Sequence, residues 1–98
     1  MTKSLASRTM TLSFPNRSRS FDEARSRVRF WGYDSALEIA FFVEGAALRK
    51  LVPRMGDAED GFLKAFDEVR ERIHQVADQV YACGRKDIYS YVLTSEDF

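Results

Sequence analysis

Residues 26–43 read SRVRFWGYDSALEIAFFV, and this stretch decides the fold. Two runs rich in β-branched and aromatic residues, 26–33 and 36–43, flank Asp34-Ser35, a turn-favouring pair that suits a two-residue hairpin loop. Pairing outward from that turn sets Gly32 against Leu37, Phe30 against Ile39 and Val28 against Phe41, a face that is apolar apart from Gly32. The other face then pairs Trp31 with Glu38, Arg29 with Ala40 and Arg27 with Phe42. A slip of one residue would put Arg29 opposite Ile39 and mix the two faces, so the alternation specifies which side meets the core.

Downstream of the hairpin the period changes from two to that of a helix. Residues 44–51 (EGAALRKL) hold good helix formers apart from Gly45, with Ala47, Leu48 and Leu51 on one side and Pro53 just beyond, which predicts a two-turn helix. Phe62, Phe66, Val69, Ile73, Val76 and Val80 then recur at alternating spacings of four and three, and predict one long amphipathic helix from about Asp57 to Cys83. Asp57, Glu59 and Asp60 suit the positive end of its dipole, and Gly84 its stop. Asp87 to Thr94 is rich in β formers and reads as a last strand, with Ser95 to Phe98 as an exposed tail.

Upstream, Thr9 to Phe14 alternates and predicts a first strand stopped by Pro15. Asn16 to Arg25 reads as a polar connection with a helical turn near Phe21 to Arg25, Phe21 being its apolar anchor. The expected order is β-β-β-α-α-β, a two-layer α+β domain with an antiparallel four-stranded sheet and two helices on one face. The expectation is a single domain over residues 1–98, with residues 1–9 read as a flexible N-terminal extension.

Composition narrows the classes of function. Apolar residues make up 45% of the chain, too many for a disordered segment. The longest apolar stretch is interrupted by Glu38 and is far too short to cross a bilayer, and no apolar run near the start suits a signal peptide. Cys83 is the one cysteine, so no internal disulfide forms, and a lone thiol suits the cytoplasm. Net charge is zero, from 15 basic and 15 acidic residues, but residues 1–30 carry seven basic and two acidic residues, +5, leaving −5 for the rest. That asymmetry hints at a partner, or at two oppositely charged segments lying side by side.

The succession LSFPNRS, RVRFWG, ALEIAFFVEGAALRKL, FLKAFDEVRERIHQVADQVYACG and YVLTSEDF, from Leu12 onward, resembles a family of small bacterial proteins known as a domain of unknown function. The resemblance implies a compact α+β fold in a bacterial cytoplasm. It implies no activity and carries over no catalytic residues.

The chemistry-bearing residues form no recognised site. His74 is the one histidine and falls off the apolar stripe beside Arg70, Asp67 and Asp78, as an exposed or hydrogen-bonded flank residue would. A zinc site would need Cys83 or carboxylates at spacings that are not present. Cys83 ends the long helix, where the dipole opposes a thiolate, and reads as a buried or half-buried structural residue. Asp67, Glu68, Glu71 and Asp78 alternate with Lys64, Arg70 and Arg72 as a solvated helix face does, and the glycines make no phosphate-binding loop. No catalytic residue, metal or cofactor is expected.

The hairpin's outer face is different. Arg27, Arg29, Trp31 and Phe42 share it, with Tyr89 and Tyr91 added if the last strand lies alongside, and helices can cover only one face of such a sheet. These are interface residue types, so the expectation is association without catalysis, as a homodimer or an adaptor. The alternative is single-stranded nucleic acid, with bases stacking on Trp31, Phe42 or the tyrosines and Arg27 and Arg29 meeting phosphates. A third possibility is ordinary surface, with arginine stems lying over the aromatic rings.

Overall fold

The computed structural model describes residues 10–84 and 90–98. The described residues form four strands, β1 (Ser20–Asp22), β2 (Arg27–Asp34), β3 (Leu37–Glu44) and β4 (Ser90–Leu93), and three helices, α1 (Gly45–Leu51), α2 (Glu59–Glu68) and α3 (Arg70–Cys83), followed by a 3-10 turn at Ser95–Asp97. The strands lie in chain order across one sheet. β1, β2 and β3 are antiparallel, whereas β4 runs parallel to β3, so the sheet is mixed and not wholly antiparallel as expected. The parallel pairing follows from the connection: three helices intervene between β3 and β4, and a crossover of that length returns the chain to the starting end of its neighbour. No helix among the described residues is long and apolar enough to cross a membrane.

β2 and β3 form the predicted hairpin with the predicted faces, but in a register shifted by two residues. Val28 pairs with Val43, Phe30 with Phe41, Gly32 with Ile39 and Asp34 with Leu37. The loop is therefore Ser35-Ala36, and Ser35 adopts the left-handed backbone, φ 58°, that tight hairpin turns demand. Because strand side chains alternate with period two, a shift of two leaves every residue on its predicted face.

The first strand lies elsewhere than expected. Ser13 alone bridges Tyr33, each backbone N–H donating to the other's carbonyl at 2.9 Å. Pro15 has no N–H for the ladder, and the chain leaves the sheet edge until Ser20, where β1 pairs along Val28 and its neighbours. Phe21, expected in a helical turn, sits instead in β1 with its ring 4.8 Å from that of Phe62.

The long helix is broken. Val69 has φ −117° and ψ 25°, and separates α2 from α3 although neither proline nor glycine marks the place. All three helices pack on the same side of the sheet. Their buried residues Ala47, Leu48, Phe62, Phe66, Ile73, Val76, Ala77 and Tyr81 join Val28, Phe30, Ile39, Phe41, Val43, Tyr91 and Leu93 in one core. Phe30 is its hub, with ring centroids 5.3 Å from Phe41 and 5.2 Å from Phe66. The C-terminal residues are not a free tail: Thr94 and Asp97 form a capping box, Lys50 Nζ donates to Ser95 O at 3.0 Å, and Phe98 packs half-buried against the core.

Candidate functional site

With the helices on one side, no described element covers the opposite side of the sheet. The residues that alternate with the core are Ser20 and Asp22 on β1, Arg27, Arg29, Trp31 and Tyr33 on β2, Glu38, Ala40, Phe42 and Glu44 on β3, and Ser90 and Val92 on β4. Register brings Arg29 beside Phe42, and Phe42 beside Val92 on the next strand. Phe42 and Trp31 are half-buried and Val92 is 42% exposed, so an apolar strip crosses three strands in open contact with solvent.

The arginines lie over this strip. The guanidinium of Arg27 is 3.8 Å from the centre of the Phe42 ring, and that of Arg29 is 5.1 Å from the Trp31 ring and 5.7 Å from Phe42. Such cation–π contacts orient the guanidinium groups while leaving their edges able to donate. Arg27 Nε donates to Asp22 at 3.0 Å, which holds the Asp22 carboxyl below the usual carboxylate range. The Tyr33 hydroxyl donates to Glu38 at 2.6 Å, and that bond to a carboxylate raises the phenol above its ordinary value. Arg29 and Glu44 make no ion pair among the described residues.

Of the six residues expected on this face, Arg27, Arg29, Trp31 and Phe42 are there together. Tyr91 is not. Pairing with Phe41 turns it into the core, where it is 7% exposed, stacks on the Phe41 ring at 5.5 Å and meets Tyr81 edge-on at 5.8 Å. Tyr89 lies outside the described residues. The residues missed were Val92, Tyr33, Asp22 and Glu44. Val92 is hidden because the phase of a short strand of β formers is set by its neighbour, and Asp22 because its segment reads in sequence as a polar connection with a helical turn.

The remaining chemistry-bearing groups lie elsewhere. His74 on α3, expected as an exposed or hydrogen-bonded flank residue, is half-buried and stacks flat on Phe14, with centroids 3.9 Å apart and planes at 4°. Burial, then the charges of Arg70 and Arg17, lower its pKa to about 4, so the ring is neutral near pH 7. Cys83, expected buried or half-buried, is exposed at the end of α3. Among the described residues no three His, Cys, Asp or Glu side chains converge to hold a metal ion. The back face thus presents flat apolar surface, oriented guanidinium groups and carboxylates.

No curated protein and no solved structure matches the chain. A family model described as a protein of unknown function, DUF1488, matches residues 12–93, from the buried Leu12 to the last residue of β4, and the chain belongs to that family.

Proposed function

We propose that the protein acts by association and not by catalysis, as a homodimer in which two copies meet through the uncovered faces of their sheets. The observation that carries this is the Trp31–Phe42–Val92 strip with Arg27 and Arg29 held over it, on the side away from every described helix. Leaving such rings in water forgoes burial worth roughly 25 cal/mol per Å² of apolar surface, and Trp and Arg are the residue types that anchor interfaces.

A second copy suits the face because its charges are mixed. Arg27 and Arg29 share it with Asp22, Glu38 and Glu44, two cations against three anions among the described residues. A two-fold contact sets the same mixed patch against itself, so Arg29 of one chain can pair with Glu38 or Glu44 of its mate. A surface for nucleic acid would be strongly basic, and these three carboxylates repel phosphate. A single cysteine fits a role in the reducing bacterial cytoplasm.

Sedimentation velocity across the micromolar range tests this. The native chain is expected to sediment as a dimer, and Phe42→Glu, which puts a charge in the centre of the strip, as a monomer with unchanged far-ultraviolet circular dichroism. A native monomer at high micromolar concentration would sink the proposal. Salt-sensitive retardation of single-stranded oligonucleotides, weakened by Trp31→Ala, would replace it with nucleic acid binding.

A further inference from the structure

Two charges of opposite sign on the sheet face away from the helices make no ion pair among the described residues. Arg27 is held by Asp22 at 3.0 Å and Glu38 accepts from the Tyr33 hydroxyl at 2.6 Å, which leaves Arg29 and Glu44. Glu44 immediately precedes α1, yet its side chain makes no capping bond there. Arg29 is exposed and Glu44 half-buried.

Strand register fixes where these two charges stand. Arg29 pairs with Phe42 and so lies one strand away, about 4.8 Å, while Glu44 lies two residues further along β3, about 6.7 Å. On the other two sides of Phe42 stand Val92, its neighbour on β4, and Ala40, two residues back along β3. Phe42 is therefore a centre with a cation, an anion and two apolar residues around it.

Symmetry allows few ways to set such a face against itself. The two-fold axis of a face-to-face contact lies in the plane of contact, and each residue meets the mirror position across that line. With the axis through Phe42 and along β3, Arg29 faces Val92 of the other copy; with the axis across the strands, Arg29 faces Arg29. Along the diagonal through Trp31, Arg29 faces Ala40 and Glu44 faces Val92. Each of these sets like charges together or buries a charge against an apolar side chain, and both cost free energy. Along the other diagonal, which runs between Arg29 and Glu44, Arg29 faces Glu44 of the other copy and Glu44 faces Arg29. Ala40 and Val92 then face each other, around a Phe42–Phe42 contact on the axis. That line also passes near Arg27, whose charge Asp22 of its own chain already holds.

We propose that the homodimer is an orthogonal sheet-on-sheet pair, with Phe42 of both copies on the two-fold axis and Arg29 of each copy paired with Glu44 of the other. This pairing rests on the association through the sheet face proposed above and supplies its geometry. Mirroring a strand across a diagonal turns it through nearly a right angle, which is one of the two ways in which sheets pack face to face. Arg29 keeps the Trp31 and Phe42 rings against its flat side, so the edge of its guanidinium is left to meet the carboxylate.

The test is charge reversal in the full-length chain, read by sedimentation velocity and native mass spectrometry. Arg29→Glu alone and Glu44→Arg alone each replace two attractions by two repulsions, and each is expected to weaken self-association about a hundredfold. Mixed in equal amounts, the two variants bring opposite charges together again, and a 1:1 heterodimer, identified by its mass, is expected at the affinity of the native dimer. Its formation also shows that both variants are folded, and an ion pair within one chain gives no such rescue on mixing. With a dimeric native chain, a mixture that stays monomeric, or single variants that associate as tightly as the native chain, overturns this pairing alone. A native chain that is itself monomeric at high micromolar concentration overturns the homodimer and this pairing with it, and leaves the face to a different partner.

Discussion

His74 shows how one side chain can make stability depend on pH. Its pKa is about 4 in the folded chain against an ordinary 6.5, because burial under Phe14 and the charges of Arg70 and Arg17 disfavour the imidazolium. Between those two values the unfolded chain binds more protons than the folded one, so stability rises with pH there and is lost as pH falls from about 6.5 to about 4. Allowing for the partial exposure of the ring, the loss is on the order of 1–2 kcal/mol. Urea unfolding at pH 7 and pH 4.5 is expected to show it, His74→Phe to lack it, and a His74 resonance titrating near 6.5 would refute it. Ser35 is a second informative residue. With φ at 58° a serine pays roughly 1 kcal/mol of backbone strain that asparagine tolerates better, so Ser35→Asn should stabilise by a few tenths to about 1 kcal/mol. Ser35→Val should lower the thermal midpoint instead, and equal midpoints for the two variants would contradict the turn geometry.

At the scale of elements, local pattern and tertiary contact part company in three places. The apolar spacing of residues 62–80 is truly helical, yet the helix breaks at Val69, and Arg70, the first residue beyond the break, lies over Phe66. Gly61 near the start of α2 permits a close approach to the preceding loop, where an added Cβ would lie 2.7 Å from the carbonyl oxygen of Gly56. Helix propensity favours Gly61→Ala by about 1 kcal/mol, but the clash with backbone costs about 1–3 kcal/mol, so the variant should be less stable on balance. A denaturation midpoint above that of the native chain would reverse this judgement. The last four residues, read from sequence as an exposed tail, hold a capping box, the Lys50 contact and the half-buried Phe98. Removing residues 95–98 should therefore cost about 1–2 kcal/mol in urea unfolding, where a free tail would cost nothing measurable.

For the whole molecule, Phe30 ties the layers together. Its ring meets Phe41 on the neighbouring strand, Phe66 on α2, and, more distantly, Phe14 and His74. Phe30→Ala should cost about 3–5 kcal/mol, a large share of the 5–15 kcal/mol typical of a small domain. Equilibrium unfolding measures it, and a loss below about 1 kcal/mol would mean that the sheet and the helices do not share one core. Much of this architecture was legible in sequence. The alternation in residues 27–44 placed Val28, Phe30 and Phe41 on the core side and Arg27, Arg29, Trp31 and Phe42 on the opposite side, and the class, the hairpin, α1 and the helical stripe all follow from periods of two and 3.6. Those periods are properties of neighbouring residues, so they survive without knowledge of the rest of the chain. What they leave degenerate, tertiary contact resolves. An even shift of register preserves both faces, so only the turn at Ser35-Ala36 selects between the two pairings. The first strand is settled by where Pro15 releases the sheet edge, and the parallel direction of β4 by the three helices that precede it. Tyr91 is turned inward by pairing with Phe41, and Arg70 is buried where α3 begins, its guanidinium over the Phe66 ring. The amino-acid sequence by itself determined which residues are apolar partners and on which side of a strand or helix they stand. Which of those sides meet, in what register and direction, was decided by the tertiary structure, because burial is a property of the whole chain.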